Sequence, residues 1–312
     1  MSQSLLAAIR ANIQKAIVGH EAAIDYMLIS LICRGHVLLE DVPGVGKTTL
    51  VAALAKSLAC TFSRIQFTPD VMPSDIVGFS LPDLNTGDFR YQPGAVMRNI
   101  VLADEINRTS PKTQSALLQV MQERQVTVDG TTYALPEPFM VLATQNPIEF
   151  VGTYPLPEAQ LDRFMMRITL GYPTPAQEME ILRRYQSANP LESLPAVVTS
   201  EQVVALCAAV DAVTSTPALH EYIAALVTAT RNDPDLLLGV SPRGGIALLR
   251  AACGCALLMG RDYATPDDVQ DMAIPVLAHR LVLKQGARLR ERTTESILRD
   301  ILARTPLPKL RA

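Results

Sequence analysis

A chain of 312 residues, 48% apolar and 19% charged, is long enough for two domains and apolar enough to bury a core in each. Its net charge of −3 argues against a surface built over its whole extent for nucleic acid, and its five cysteines, scattered and odd in number, point to a reducing compartment. Residues 1–14 lack the charged-then-apolar layout of a signal peptide, and the longest apolar run near them, 26–33, is too short to span a membrane; a cytoplasmic protein without membrane insertion is expected.

The first predicted strand, 36–40, runs into Asp41, Val42, Pro43, Gly44, Val45, Gly46, Lys47 and Thr48, with a helix-forming segment over 49–58. A strand, a turn loosened by two glycines and a helix that begins near Lys47 aim several backbone N–H groups at one point, where an anion belongs. Lys47 can reach outer phosphates as a point charge, and the Thr48 hydroxyl can ligate an accompanying Mg²⁺. The usual phosphate-loop pattern has glycine where this chain has Asp41.

A second strand is predicted over 62–67. The third, 99–103, is apolar and ends in Asp104 and Glu105, two acids that are expensive to desolvate without a cation. Asp104 is therefore expected to hold Mg²⁺ and Glu105 to polarise an attacking water. Residues 81–94 contain a turn at Asn85, Thr86 and Gly87 flanked by Leu84, Phe89 and Tyr91, and 125–133 is β-rich sequence around Asp129 and Gly130, a strong hairpin signal. Each is either a working part or loop decoration. The fourth strand, 139–144, leads into Asn146 and Pro147, where the amide either orients a water or starts a turn. Arg163, between Asp162 and Phe164, precedes the last predicted strand, 165–170, and is either a functional cation or a partner of Asp162.

Pro173 and Pro175 follow that strand, and the chain is expected to divide there into domains 1–172 and 173–312. Strands that alternate with helical stretches predict an α/β fold, a doubly wound parallel five-stranded sheet with helices on both faces. Beyond it, 176–187, 200–213, 218–231, 244–259 and 266–279 read as helices of a small all-α unit. Cys253 and Cys255 lie in an apolar run and read as buried thiols. Residues 280–312 carry nine Lys or Arg against three acids, either a solvated helix face with a frayed tail or a docking surface for an acidic partner.

Seven blocks then stand in a telling order: Val18-Gly19-His20-Glu21; the phosphate loop from Glu40 through Thr48; Gln66-Phe67-Thr68-Pro69-Asp70 with Pro73-Ser74-Asp75; Ala103-Asp104-Glu105-Ile106-Asn107-Arg108; Ala143-Thr144-Gln145-Asn146-Pro147; Glu158-Ala159-Gln160-Leu161-Asp162-Arg163-Phe164; and Ser241-Pro242-Arg243. From about residue 17 to about 258 the chain resembles the MoxR-type AAA+ ATPases, whose members often carry a non-glycine at the Asp41 position. The resemblance implies a P-loop NTPase fold with a small helical lid, and ATP and Mg²⁺ as cofactors. It places the phosphates among Pro43, Gly44, Val45, Gly46, Lys47, Thr48 and Thr49, the metal at Thr48 and Asp104, and the adenine against the backbone of Val18 and Gly19. Glu105 would act on water, Asn146 would be the first sensor, Arg163 an arginine finger for a neighbouring subunit, and Arg243 the second sensor, reaching the γ-phosphate from the lid.

The resemblance further implies an ATP hydrolase that assembles with itself as a ring, expected as a hexamer, and remodels or matures other protein complexes in the manner of a chaperone. It suggests partners with a von Willebrand factor A domain, and both hairpins match ones that this group carries toward the pore or upper surface. Alternatives are an activase for a carbon-fixing enzyme or a chelatase-type motor, told apart by the partner that co-purifies. A nucleic-acid motor is a further one, disfavoured because neither hairpin carries a cluster of Lys or Arg.

Overall fold

The computed structural model describes residues 2–41, 44–82, 88–145, 152–187 and 189–308. Five parallel strands make the central sheet: β1 (Val37–Glu40), β2 (Phe62–Gln66), β3 (Ile100–Asp104), β4 (Met140–Gln145) and β5 (Met166–Ile168). Their spatial order is β2-β3-β4-β1-β5, which sets the ends of β1, β3 and β4 side by side. The fifth strand is shorter than the expected 165–170. After Ile168 the backbone N–H groups of Leu170 and Gly171 turn to the Asp41 carboxylate instead of a strand neighbour.

Successive strand residues face opposite sides of the sheet. Val37, Leu39, Ile100, Leu102, Met140 and Leu142 enter one apolar cluster, and Leu38, Val101, Ala103, Val141 and Ala143 enter another. The first cluster also takes in helices α1 (Ser2–Ala16), α2 (Glu21–Ile32) and α3 (Lys47–Ser57). Helix α2 buries Ile24, Met27, Leu28, Ile29, Leu31 and Ile32, so its apolar run belongs to a core helix surrounded by other helices and the sheet. Helix α4 (Pro111–Glu123) packs on the second cluster through Leu117, Leu118, Val120 and Met121.

The rest of the chain is built mainly of helices: α5 (Pro175–Ser187), α6 (Ser200–Asp211), α7 (Pro217–Arg231), α8 (Pro242–Leu258), α9 (Pro266–Leu277) and α10 (Thr294–Arg304). Ser or Thr followed by Pro starts α4, α7, α8 and α9, and in each the hydroxyl accepts an N–H three residues on, while the proline sits where no N–H is needed. Two short segments, Leu236–Leu238 and Val282–Leu283, pair antiparallel among these helices. The first cluster runs on without a break into α6 to α10, so α1 and α2 share their core with this half of the chain.

Both expected hairpins are present. Gly78–Pro82 pairs with Phe89–Pro93, while its tip at Asn85, Thr86 and Gly87 lies outside the described residues. Gln125–Val128 pairs with Thr131–Ala134 across Asp129 and Gly130, whose φ angles of 49° and 78° are both positive, as a tight two-residue turn requires. The rings of Tyr91 and Tyr133 stack at 4.1 Å and join one hairpin to the other.

Candidate active site

A cleft of about 330 Å³ opens where β1, β3 and β4 end, lined by Gly44, Gly46, Lys47, Thr48, Thr49, Arg64, Asp104, Glu105 and Thr144. Gly44 and Gly46 have φ of 85° and 87°, backbone that favours glycine, and Gly46 precedes α3 with no side chain capping that helix. The first N–H groups of α3 are therefore left for an anion. Lys47 Nζ donates to the Asp41 carbonyl at 2.8 Å. Burial lowers the Lys47 pKa, against the raising influence of Asp41, Asp104 and Glu105. Val45 is half-buried in this loop, and Pro43 lies outside the described residues.

The two acids are each held by several donors. Asp104 accepts from the Thr144 hydroxyl at 2.6 Å on one oxygen and from Arg64 Nη2 and Nε at 2.7 and 3.1 Å on the other. Glu105 sits in left-handed backbone, φ 57°, an uncommon conformation for this residue type that recurs at functional sites. Its N–H donates to Thr144 Oγ1, and its carboxylate accepts from Gln66 Nε2 at 2.9 Å and Arg108 Nη1 at 3.0 Å. The Thr48 hydroxyl and the Asp104 carboxylate are hard oxygen donors of the kind Mg²⁺ takes beside phosphate. Among the described residues no three His, Cys, Asp or Glu side chains could hold a metal ion together, so a metal here would take its remaining ligands from water or a bound phosphate.

Arg64, Gln66, Arg108 and Thr144 were not marked as site residues by sequence reasoning. For two of them the alternation along a strand is legible in the sequence, whereas the strand they face is not. Arg64 and Gln66 occupy alternate positions of β2, hence one face, and β2 runs parallel beside β3 with Gln66 opposite Asp104. Asp41 also gains a reason. It is buried, and its Oδ2 accepts from Leu170 N and Gly171 N at 2.6 Å each, tying the exit of β5 to the start of the phosphate loop.

Val18 and Gly19 stand in the connection between α1 and α2, under α5. Gly19 has φ 73°, and a Cβ there would come 2.3 Å from Gln177 Nε2; nearby, Arg184 of α5 donates to the carbonyls of Gln14 and Lys15. Asn146 lies outside the described residues.

Arg163 does not pair with Asp162. Its Nη1 donates to the Leu118 carbonyl at 2.7 Å, whereas Asp162 takes Arg280 and Ser241. Nor do Arg163 and Arg243 line the cleft of Lys47. They line a second one with His36, Arg34, Arg124, Arg250 and Arg280. His36 precedes β1 and Lys47 follows it, and a four-residue strand spans about 13 Å, so the two arginines stand toward the far end of β1 from the phosphate loop. Positive charge dominates this second cleft. Arg34 and Arg250 share Asp211, and Arg280 takes Asp162, but Arg163 and Arg124 donate to the carbonyls of Leu118 and Arg34. His36 adds no charge, because burial pushes its pKa down to about 4.

The basic C-terminal segment is partly neutralised within the chain: Arg290 pairs with Asp235, Arg304 with Asp233 and Arg292 with Asp300. Lys309 and Arg311 lie outside the described residues. Cys253 and Cys255 are buried, and burial raises both thiols, that of Cys255 to about 12. No helix among the described residues is long and apolar enough to cross a membrane.

Comparison with known proteins places the chain among relatives of the same fold. Residues 36–166 match the model of the ATPase family associated with various cellular activities (AAA), and residues 228–301 match that of the AAA lid domain. The chain is 50% identical to YeaC of Bacillus subtilis, a protein of uncharacterised function, over 96% of this chain and 94% of that one. It is 42% identical to chaperone MoxR1 of Mycobacterium tuberculosis, over 96% and 82%. A crystal structure of a candidate ATPase from Cytophaga hutchinsonii superposes with a TM-score of 0.92 at 40% identity, covering 99% of this chain and 96% of that one.

Proposed function

The chain belongs to the MoxR family of AAA+ ATPases, and from that footing we propose that it is a Mg²⁺-dependent ATP hydrolase that closes into a ring of identical subunits and remodels partner proteins. One observation carries this reading: Lys47, Thr48, Asp104 and Glu105 line one cleft, while Arg163 and Arg243 line another near the opposite end of β1. Head-to-tail packing in a ring would bring the arginines of one subunit to the phosphates of the next. Arg243, the second sensor, is then read as reaching that γ-phosphate across the boundary together with Arg163.

In this reading Lys47 and the N–H groups around Gly44, Val45, Gly46, Thr48 and Thr49 hold the phosphates, with Val18 and Gly19 beside the adenine. Thr48 and Asp104 would hold Mg²⁺, which when bound neutralises phosphate charge. Glu105, oriented by Gln66 and Arg108, accepts the proton of the attacking water, and Asn146 is the first sensor. Residues 1–172 serve as the nucleotide-binding unit and 173–312 as the lid. A hexamer, a von Willebrand factor A domain partner and a cytoplasmic setting complete the proposal; the chaperone named among the relatives supports the remodelling role.

The test compares three variants in nucleotide binding, turnover and assembly. Lys47→Ala should lose binding, and Glu105→Gln should bind without turnover. Arg163→Ala should bind nearly normally per subunit, turn over slower by on the order of 10³-fold, and poison wild-type rings when mixed in. Unchanged turnover per wild-type subunit in those mixtures would refute action across the boundary.

A further inference from the structure

Arg163 and Arg243 are far apart in sequence, yet one carboxylate joins the segments that carry them. Asp162 Oδ1 accepts from Arg280 Nε at 2.7 Å, and Oδ2 accepts from Ser241 Oγ at 3.0 Å. Ser241 caps α8, accepting from Gly244 N at 3.2 Å, and Arg243 lies in the first turn it caps. The single hydroxyl thus donates to the segment of one arginine and accepts from the helix of the other.

Arg280 completes the clasp. Its side chain is 3% exposed, and it donates to the carbonyls of Phe164 at 2.6 Å, Met165 at 3.2 Å and Asp162 at 3.3 Å, gripping the backbone on both sides of Arg163. Gly244 leaves it room: a Cβ there would stand 2.9 Å from Arg280 Cδ and 2.6 Å from Val240 Cγ1. A buried ion pair contributes little net stability because desolvation offsets attraction, but it fixes geometry, since few arrangements satisfy all its donors.

We propose that Asp162, Arg280 and Ser241 are positioning residues that hold Arg163 and Arg243 as one rigid unit, so that a subunit presents both cations to its neighbour's nucleotide together. The proposal rests on the reading that these arginines act across the subunit boundary. Breaking the clasp should therefore disable the neighbour's site and leave the subunit's own site able to bind and hydrolyse ATP.

Complementation in mixed rings tests this. Asp162→Asn keeps the side chain's shape and removes its charge. Alone it should bind ATP with wild-type affinity, keep its KM, and lose roughly ten- to a hundredfold in kcat through misplaced arginines. Mixed in equal amounts with inactive Glu105→Gln, which still carries an intact clasp, it should recover about a quarter of wild-type turnover, the chance that an Asp162→Asn site faces a Glu105→Gln donor in a random ring. A clasp that only stabilised its own subunit would give no recovery. Arg163→Ala mixed with Glu105→Gln is the control. Recovery there without recovery for Asp162→Asn overturns the clasp and leaves the boundary reading standing; no recovery in either overturns both. If Asp162→Asn does not assemble, Ser241→Ala decides instead. It should lose turnover several-fold and be rescued in the same way, and wild-type turnover in it would overturn the proposal.

Discussion

Removing the Asp41 carboxylate should loosen the joint between the phosphate loop and the end of the sheet by a measurable amount. One oxygen accepts two backbone N–H groups at 2.6 Å, and the residue is 6% exposed. Hydrogen bonds to a charged acceptor contribute about 1.5–3 kcal/mol each, and the half-buried amides of Leu170 and Gly171 recover some solvation when freed, so Asp41→Ala should cost about 3 kcal/mol in total. Asp41→Asn keeps a neutral acceptor and should cost about half as much. Asp41 is not among the described residues with left-handed backbone, so Asp41→Gly, which restores the familiar glycine, relieves no strain and adds about 0.5–1 kcal/mol of unfolded-state entropy. The order expected from urea unfolding at neutral pH is wild type, Asn, Ala, Gly, and thermal midpoints should drop by about 2 °C per kcal/mol. An Ala variant as stable as wild type, or a Gly variant more stable than either, would refute the assignment of Asp41 as a clamp.

His36 makes the chain sensitive to acid. Neutral, it accepts the Val141 N–H at Nδ1 while Nε2 meets the Met121 carbonyl, and burial pushes its pKa from 6.5 to about 4, so the stability it confers is present above pH 6.5 and lost as pH falls toward 4, a difference of about 3 kcal/mol. Urea midpoints taken across that window should fall more steeply in wild type than in His36→Asn, and parallel curves would remove His36 as the source. Between the hairpins, a double-mutant cycle on Tyr91→Ala and Tyr133→Ala should give a coupling of about 1 kcal/mol, whereas zero coupling would make them independent units.

What the sequence made legible is local. A run of apolar residues that stops at Asp104 and Glu105, a loop with Gly44, Gly46 and Lys47 before a helix, and Asp129-Gly130 between β-rich flanks each carry their signal within a few residues. What escaped lies between segments. Arg64 faces Asp104 only because β2 and β3 are neighbours in register, and the Asp162–Arg280 pair exists only because the helical half folds back onto the chain before β5. The excess of basic residues after 280 could not be weighed from the sequence, since Asp233 and Asp235, which offset part of it, precede it by several helices and turns. Arg163 illustrates the opposite hazard: the adjacent acid in sequence, Asp162, points elsewhere, because neighbours along a chain need not share a side of it.

The sheet with its two separate interiors also says how such a molecule could be re-tuned. Leu117, Leu135 and Val126 of the second hairpin pack together on one side, while Met27, Leu248 and Val269 pack among the helices on the other, and the strand backbone stands between them. A change of volume on the hairpin side is absorbed by its own compartment, because close-packed neighbours feel it first and the opposite set of side chains does not touch it. A substitution on the hairpin side would then leave the packing around α8 as it is, and the strands standing between the two compartments are the ones that carry Asp104 and Thr144 into the cleft of Lys47.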